Sequence, residues 1–507
     1  MISFFTLLSR ILGFVRDIVI ARGFGAGLGA DAFFIAQKLP NFLRRLFAEG
    51  AFNTAFVPVF SDYLADGDRD DTRRMMQSVF TMLFLAVTLV VALAQIFMPY
   101  LIMAIAPGFS DDPVKQALTV DLTRITFPYI LFISLTALAG GILNSHRRFA
   151  IPAATPLLLN VAIISSALLL TPLFEEPATA LAVGIFLGGL AQLGLQLPAL
   201  ARLGLPFRLR WDPKHPAIHR ILHLMAPSIL GVSVAQIGML FDLFLASFLP
   251  EGSISYLYYA DRMVEFPLGL IGIALGTAIL PTLSAKAARN DIEGLRHDLD
   301  FALRLTLVVN LPATIGLISL REPILSLLFE RGAFDAQTTT LAGQALFAYG
   351  IGLIAFSAIK VTAPAFYAMK DTRTPVRIAM KALAVNMVLN VVLMFPFQHA
   401  GLALSTSLAA FVNVGLLILA LRDKVGYRFS PQLKRTALIS AGASAVLLLF
   451  LELARIAYWS GGLSLGMKMA VLLPTILGGV VIYFGIAWLL RMNELKDLVA
   501  MVRRRKG

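Results

Sequence analysis

The chain has 507 residues, 58% of them hydrophobic and 14% charged, with a formal net charge of +13 and no cysteine. A mean hydropathy of +0.80, with far fewer charges than the roughly 25% of a soluble domain, excludes a soluble globular protein. The missing cysteine excludes disulfides, thiolate catalysis and sulfur-ligated metals, and no basic stripe on a soluble module calls for nucleic acid.

Apolar runs of about 20 residues recur along the sequence, each long enough to cross a hydrocarbon core of roughly 30 Å as a helix. Fourteen fit, which makes the expected fold an all-α polytopic membrane protein with fourteen transmembrane helices. The first run, 2–22, lacks a basic n-region and an A-x-A cleavage site and is expected to be a retained span. Its segment SRILGFVRD sets Arg10 and Asp17 on one face, with Arg16 about 120° from Arg10 on a regular helix. Both arginines can face one cleft if the helix bends or unwinds, and Gly13 is the expected place.

The second run, 31–64, carries DAFFIAQKLPNFLRRLFAEGAF. Pro40 weakens the backbone ladder beside Lys38, Arg44 and Arg45 point about 100° apart, and Asp31 and Glu49 bracket these cations as counterions. The five cations Arg10, Arg16, Lys38, Arg44 and Arg45 thus lie inside the first two runs. At roughly 2.5 to 3.5 kcal/mol each they would cost about 12 to 17 kcal/mol against acyl chains, as much as a domain's whole stability of about 5 to 15 kcal/mol. They are expected to line a wet cavity or meet an anion. Snorkelling or a structural ion-pair network would also satisfy Arg10, Arg16 or Glu49 individually.

Spans follow at 77–105, 121–145, 151–171 and 178–201. The connector after them holds His215, His219 and His223, whose spacing suits a metal but whose basic setting without thiols fits a solvated face. The seventh run, 218–249, contains the lone acid Asp242, a candidate ion or proton site with a structural alternative. The eighth, 254–284, starts with YYADRMVEFP, in which Asp261 and Glu265 share a face and Arg262 is offset. The remaining runs are 299–319, 339–369, 376–396, 401–421, 433–458 and 465–491. GFGAGLG follows no strand, and no Walker or nucleophile-elbow motif occurs, so neither a cofactor nor an enzymatic step is expected.

Lysines and arginines in the loops and at the adjoining span ends number 27 after even-numbered helices and in the tail, against four on the other side, Arg22, Lys115, Arg321 and Arg331. That bias predicts both termini in the cytoplasm, with the Arg503–Lys506 tail available to anionic lipid. Thr54, Ala55, Pro58, Ser61 and Pro152 align at one offset with Thr277, Ala278, Pro281, Ser284 and Pro375. The repeat predicts two parallel six-helix lobes, 1–215 and 216–425, enclosing a V-shaped cleft whose rocking gives alternating access. The remainder, 426–507, adds two helices and the basic tail, and the poorly charged faces of those helices suit an apolar groove for a lipid tail. Converging arginines suit a diphosphate better than a carboxylate, and inorganic phosphate or a nucleotide would satisfy them equally.

SRILGFVRD (9–17), DAFFIAQKLPNFLRRLFAEGAF (31–52), APGF (106–109), TFPYI (126–130), ILNSHRRFAIPA (142–153) and YYADRMVEFP (258–267) resemble the MurJ (MviN) lipid II flippases of the MOP exporter superfamily. The resemblance implies peptidoglycan biosynthesis and cell wall biogenesis: transfer of undecaprenyl-pyrophosphate-linked lipid II from the cytoplasmic to the periplasmic leaflet of the bacterial inner membrane. It places the family's cavity arginines on Arg10, Arg16, Arg44 and Arg262 and its functional acids on Asp31 and Glu49. Asp17, Lys38, Asp242, Asp261 and Glu265 are the expected ion or charge-network residues, and no metal is expected. Coupling to the membrane potential or a monovalent cation, a monomeric state, and contacts with membrane lipids and cell-wall synthesis proteins complete the expectations. Two rivals remain: a cation-coupled exporter of drugs or other polyprenyl-linked sugars acting through Asp31, Asp242 and Asp261, and a non-transporting scaffold for cell-wall enzymes.

Overall fold

A backbone in hydrocarbon has no water to bond, so apolar runs of this length satisfy their N–H and C=O groups as helices. The computed structural model describes residues 2–45, 52–269, 273–459 and 462–495, and among them the secondary structure is helical apart from one isolated bridge. Seventeen helices follow in order: α1 (Ile2–Phe24), α2 (Leu28–Leu43), α3 (Asn53–Ala65), α4 (Arg69–Ile105), α5 (Pro113–Thr126), α6 (Tyr129–Ser145), α7 (Ala150–Leu169), α8 (Ala178–Arg202), α9 (Pro216–Ala246), α10 (Ser253–Pro267), α11 (Ile273–Ala288), α12 (Ile292–Ser319), α13 (Arg321–Leu328), α14 (Ala336–Ala368), α15 (Arg373–Val425), α16 (Pro431–Tyr458) and α17 (Leu465–Leu489). Among the described residues, nine helical stretches are long and apolar enough to cross a membrane. Several start at side-chain caps that occupy otherwise orphaned N–H groups: Asp68 accepts from Asp70 N and Asp71 N, and Asp112 precedes Pro113 at the head of α5.

The structure refines the expected spans. The run 31–64 carries α2 and α3, and residues 46–51, Glu49 among them, lie outside the described residues. The run 121–145 starts earlier and is divided: Pro128 lacks an N–H, and a tighter turn (Ile130 N to Phe127 O, 3.1 Å) joins α5 to α6. The run 254–284 carries α10 and α11, with residues 270–272 outside the described residues. Between 396 and 401, the helix-breaking Pro396 and Gln398 at φ 49 kink the two expected spans inside α15. The short α13 is not legible in the sequence, because eight residues carry too little periodicity. Finally, α1 does not unwind at Gly13 but runs through it as continuous helix.

The chain forms two compact units, residues 1–255 with 331–334 and residues 256–330 with 335–507. In the first, Phe56, Phe60, Met75, Leu138, Ile142 and Leu200 join α3, α4, α6 and α8 in one apolar core, against which α9 also packs. Helices α7 and α8 approach closely at Gly184, where a Cβ would lie 2.9 Å from Ile163 Cα. In the second, Leu299, Leu303, Val361, Phe366 and Leu417 join α12, α14 and α15.

Buried ion pairs fasten α16 and α17 to this second unit. Arg304 Nη1 meets Glu494 Oε1 at 2.5 Å, Thr436 donates to the same oxygen, and Arg304 Nε lies 3.3 Å from Asp300. At the start of α17, Lys468 Nζ donates to Ser326 Oγ (2.7 Å) and Glu330 Oε1 (3.1 Å). Burial works to raise the Glu330 carboxyl, but hydrogen bonds from Ser326, Lys468 and Thr339 and the Lys468 charge outweigh it, leaving the carboxyl below the usual range. A lowered folded pKa contributes stability fully above the ordinary value of 4.5, and that contribution is lost as pH falls through the folded value. Thermal unfolding of the parent chain and Glu330→Gln should therefore differ at neutral pH and converge on acidification.

Candidate functional site

In the first unit, α1 buries Arg16 to 7% exposure and Asp17 to 2%. Arg16 Nε and Nη2 donate to Asp17 Oδ1 at 3.0 and 2.7 Å, and Nη1 donates to Asn160 Oδ1 on α7 at 3.1 Å. Asn160 also donates to Ser9 O, and Gly13 leaves room for its amide, so Gly13 accommodates Asn160 rather than breaking the helix. A guanidinium forked between one carboxylate and one amide is held in one orientation. Arg10, on the same helix, is exposed.

On α2, Lys38 is half-buried one turn before its end, and Arg44 Nε donates to Asn41 Oδ1 at 3.1 Å while Arg45 is exposed. Asp31 is enclosed, at 1% exposure. Its Oδ2 accepts from Gly252 N (2.8 Å) and its Oδ1 from Ser255 N (3.0 Å) and Ser255 Oγ (2.7 Å), which satisfies the start of α10. Lys115 Nζ approaches Asp31 at 3.7 Å and stands 4.0 Å over the Phe109 ring. Asp31 therefore fixes local geometry through hydrogen bonds that the sequence offers no means of pairing. Asp242 on α9 is half-buried.

In the second unit, Arg262 is half-buried, donates to Glu265 Oε2 (2.8 Å) and Tyr258 OH (3.3 Å), and lies 5.1 Å over the Tyr258 ring. Asp261 and Glu265 are exposed. Sequence reasoning missed Asn160, a polar residue inside an apolar run, and Lys115, which precedes the expected span 121–145. Among the described residues no three His, Cys, Asp or Glu side chains form a metal-binding group, and His215 instead caps α9, its Nδ1 accepting from Ala217 N.

The family model described as MurJ, lipid II flippase, matches residues 20–475. The chain belongs to the MurJ lipid II flippase family. It is 43% identical to the probable lipid II flippase MurJ of Vibrio cholerae, over 98% of this chain and 96% of that one. It is 38% identical to the lipid II flippase MurJ of Burkholderia cenocepacia, over 96% of each. A solved lipid II flippase MurJ, in an inward closed conformation, superposes with a TM-score of 0.82 at 28% identity, covering 98% of this chain and 99% of its own. An inward-facing multidrug resistance MATE transporter of the MOP superfamily shares the fold alone, with a TM-score of 0.67 at 14% identity over 85% of this chain and 96% of its own. The MurJ family is one of multi-pass membrane transporters, so the expected resemblance, the helical membrane fold and the flippase class all hold.

Proposed function

We propose that this chain moves lipid II from the cytoplasmic to the periplasmic leaflet of the inner membrane by alternating access. In this proposal the polypeptide crosses the bilayer fourteen times with both termini cytoplasmic. Two six-helix repeats, 1–215 and 216–425, are followed by the added helices of 426–507. The diphosphate is bound by Arg10, Arg16, Arg44 and Arg262, with Asp31 and Glu49 as supporting acids. Asp17, Lys38, Asp242, Asp261 and Glu265 form the surrounding charge network.

The observation that carries the proposal is the buried Arg16, oriented by Asp17 and Asn160 inside the helix bundle. A guanidinium held in one orientation presents a planar fork that matches phosphate oxygens. A cavity of about 250 Å³ between α12, α16 and α17 supports a lipid-linked substrate, its wall formed by apolar residues such as Val309, Gly316, Leu447, Ile476 and Val480. The Tyr483 hydroxyl at its wall is occupied, donating to Val308 O at 2.9 Å. The proposed occupant is the prenyl tail.

Reconstituted protein should transfer labelled lipid II between leaflets, and a sealed or drug-selective protein would not. A Cβ at Gly316 meets nothing within 4 Å, so Gly316→Phe fills the groove without a backbone clash. That variant should fold normally and slow lipid II transfer, with a smaller effect on a short-tailed analogue. Equal rates for both chains would remove the groove from the mechanism.

A further inference from the structure

The connector between α8 and α9 is neither helix nor strand over residues 205–212, yet it is pinned along one side of the first unit. Arg73 donates through Nε and Nη2 to Gly204 O at 3.1 and 2.9 Å. Leu205 is buried, Phe207 stacks on Phe80 with ring centroids 4.4 Å apart, and Arg210 N donates to Thr81 Oγ1 at 2.7 Å. His215 closes the strap, its ring 5.9 Å from that of Tyr63.

This backbone holds two large apolar side chains outward: Leu209 is 69% exposed and Trp211 70%. Arg208, Arg210 and Lys214, interleaved with them, are exposed too. The strap's depth follows from its anchor. α4 begins with the charged RDDTRR, carries no charge from Met75 onward and is buried from Met75 to Thr81; its side chains turn outward only from Met82, and Met82 to Ile105 is a stretch of about 36 Å at 1.5 Å per residue that covers a hydrocarbon core of roughly 30 Å. Thr81 stands at that change, and Leu85, one turn further, is already 41% exposed. Residue 210 is bonded to Thr81, so Leu209 and Trp211 lie at the level where headgroups meet acyl chains.

We infer that the strap 203–215 is a docking surface for anionic phospholipid, with Leu209 and Trp211 entering the headgroup boundary while Arg208, Arg210 and Lys214 bind lipid phosphates. Tryptophan is favoured at this level because its ring is apolar and its N–H is polar, and each basic residue near an anionic surface adds attraction. An acidic protein would meet the same cations, but at this depth bilayer already occupies the space around Trp211.

Trp211 is one of three tryptophans. In full-length Trp459→Phe/Trp488→Phe protein, in nanodiscs of equal parts phosphatidylglycerol and phosphatidylcholine, its emission should be blue-shifted and quenched by lipid brominated near the headgroup. Quenching should be about twofold or more stronger when bromine is on phosphatidylglycerol than on phosphatidylcholine, and Arg208→Gln/Arg210→Gln should abolish the difference. Water-like emission without lipid quenching, as an exposed protein-docking surface would give, overturns the inference. Equal quenching by the two lipids in the chain with both arginines does so as well.

Discussion

Arg16→Ala is expected to lower lipid II transfer by about 30-fold or more, since losing one partner of a buried charge pair costs roughly 2 to 5 kcal/mol and each 1.4 kcal/mol is about tenfold. The substitution also strands Asp17, which is 2% exposed and takes two hydrogen bonds from Arg16. A buried carboxylate without its partner weakens the fold. The companion variant Arg16→Ala/Asp17→Asn separates the two effects, because removing both charges relieves the stranded group but provides no phosphate-binding fork. Thermal unfolding of the double variant should return toward that of the parent while transfer stays low. Recovery of transfer along with stability would make the pair purely structural.

Asp31→Ala should be the most destabilising single change in the first unit. It removes the acceptor for Gly252 N, Ser255 N and Ser255 Oγ together and leaves the buried Lys115 without the carboxylate 3.7 Å away. Breaking a buried pair by removing one partner costs about 3 to 5 kcal/mol. Asp31→Asn keeps an acceptor oxygen and should lose less. Adding Lys115→Met to Asp31→Ala should recover part of the loss, because the ammonium is then no longer stranded. An unfolding midpoint unchanged in Asp31→Ala would show that these contacts contribute little.

Much of the helical layout is legible because bilayer thickness imposes a length on each apolar run, and because charges flanking the runs mark their ends. Divisions within runs are harder to see. Pro128 ends one helix and starts another, whereas Pro99 sits inside α4, so proline alone does not say where a helix divides. The kink at Gln398 depends on a positive φ in a residue that does not advertise one.

The site divides the same way. An arginine in an apolar run is conspicuous by its cost, which is why Arg16, Arg44 and Arg262 stand out in the sequence alone. Their partners are not conspicuous. Asn160 lies 144 positions from Arg16 and costs little to bury when bonded, and Ser255 lies 224 positions from Asp31. Lys115 reads as a loop charge because the apolar run 121–145 begins after it, whereas α5 starts at Pro113 and buries it. Long-range pairings of this kind are fixed by packing, which hydropathy along one chain does not contain.

Equilibrium binding of lipid II, compared with an analogue of the same tail and sugar joined through a single phosphate, tests the central claim most directly. The parent chain should prefer the diphosphate, and Arg16→Ala/Asp17→Asn, though folded, should bind the two ligands alike. Equal affinity for both ligands in the parent chain, or an undiminished preference in the variant, would contradict a role for Arg16 in recognising the diphosphate.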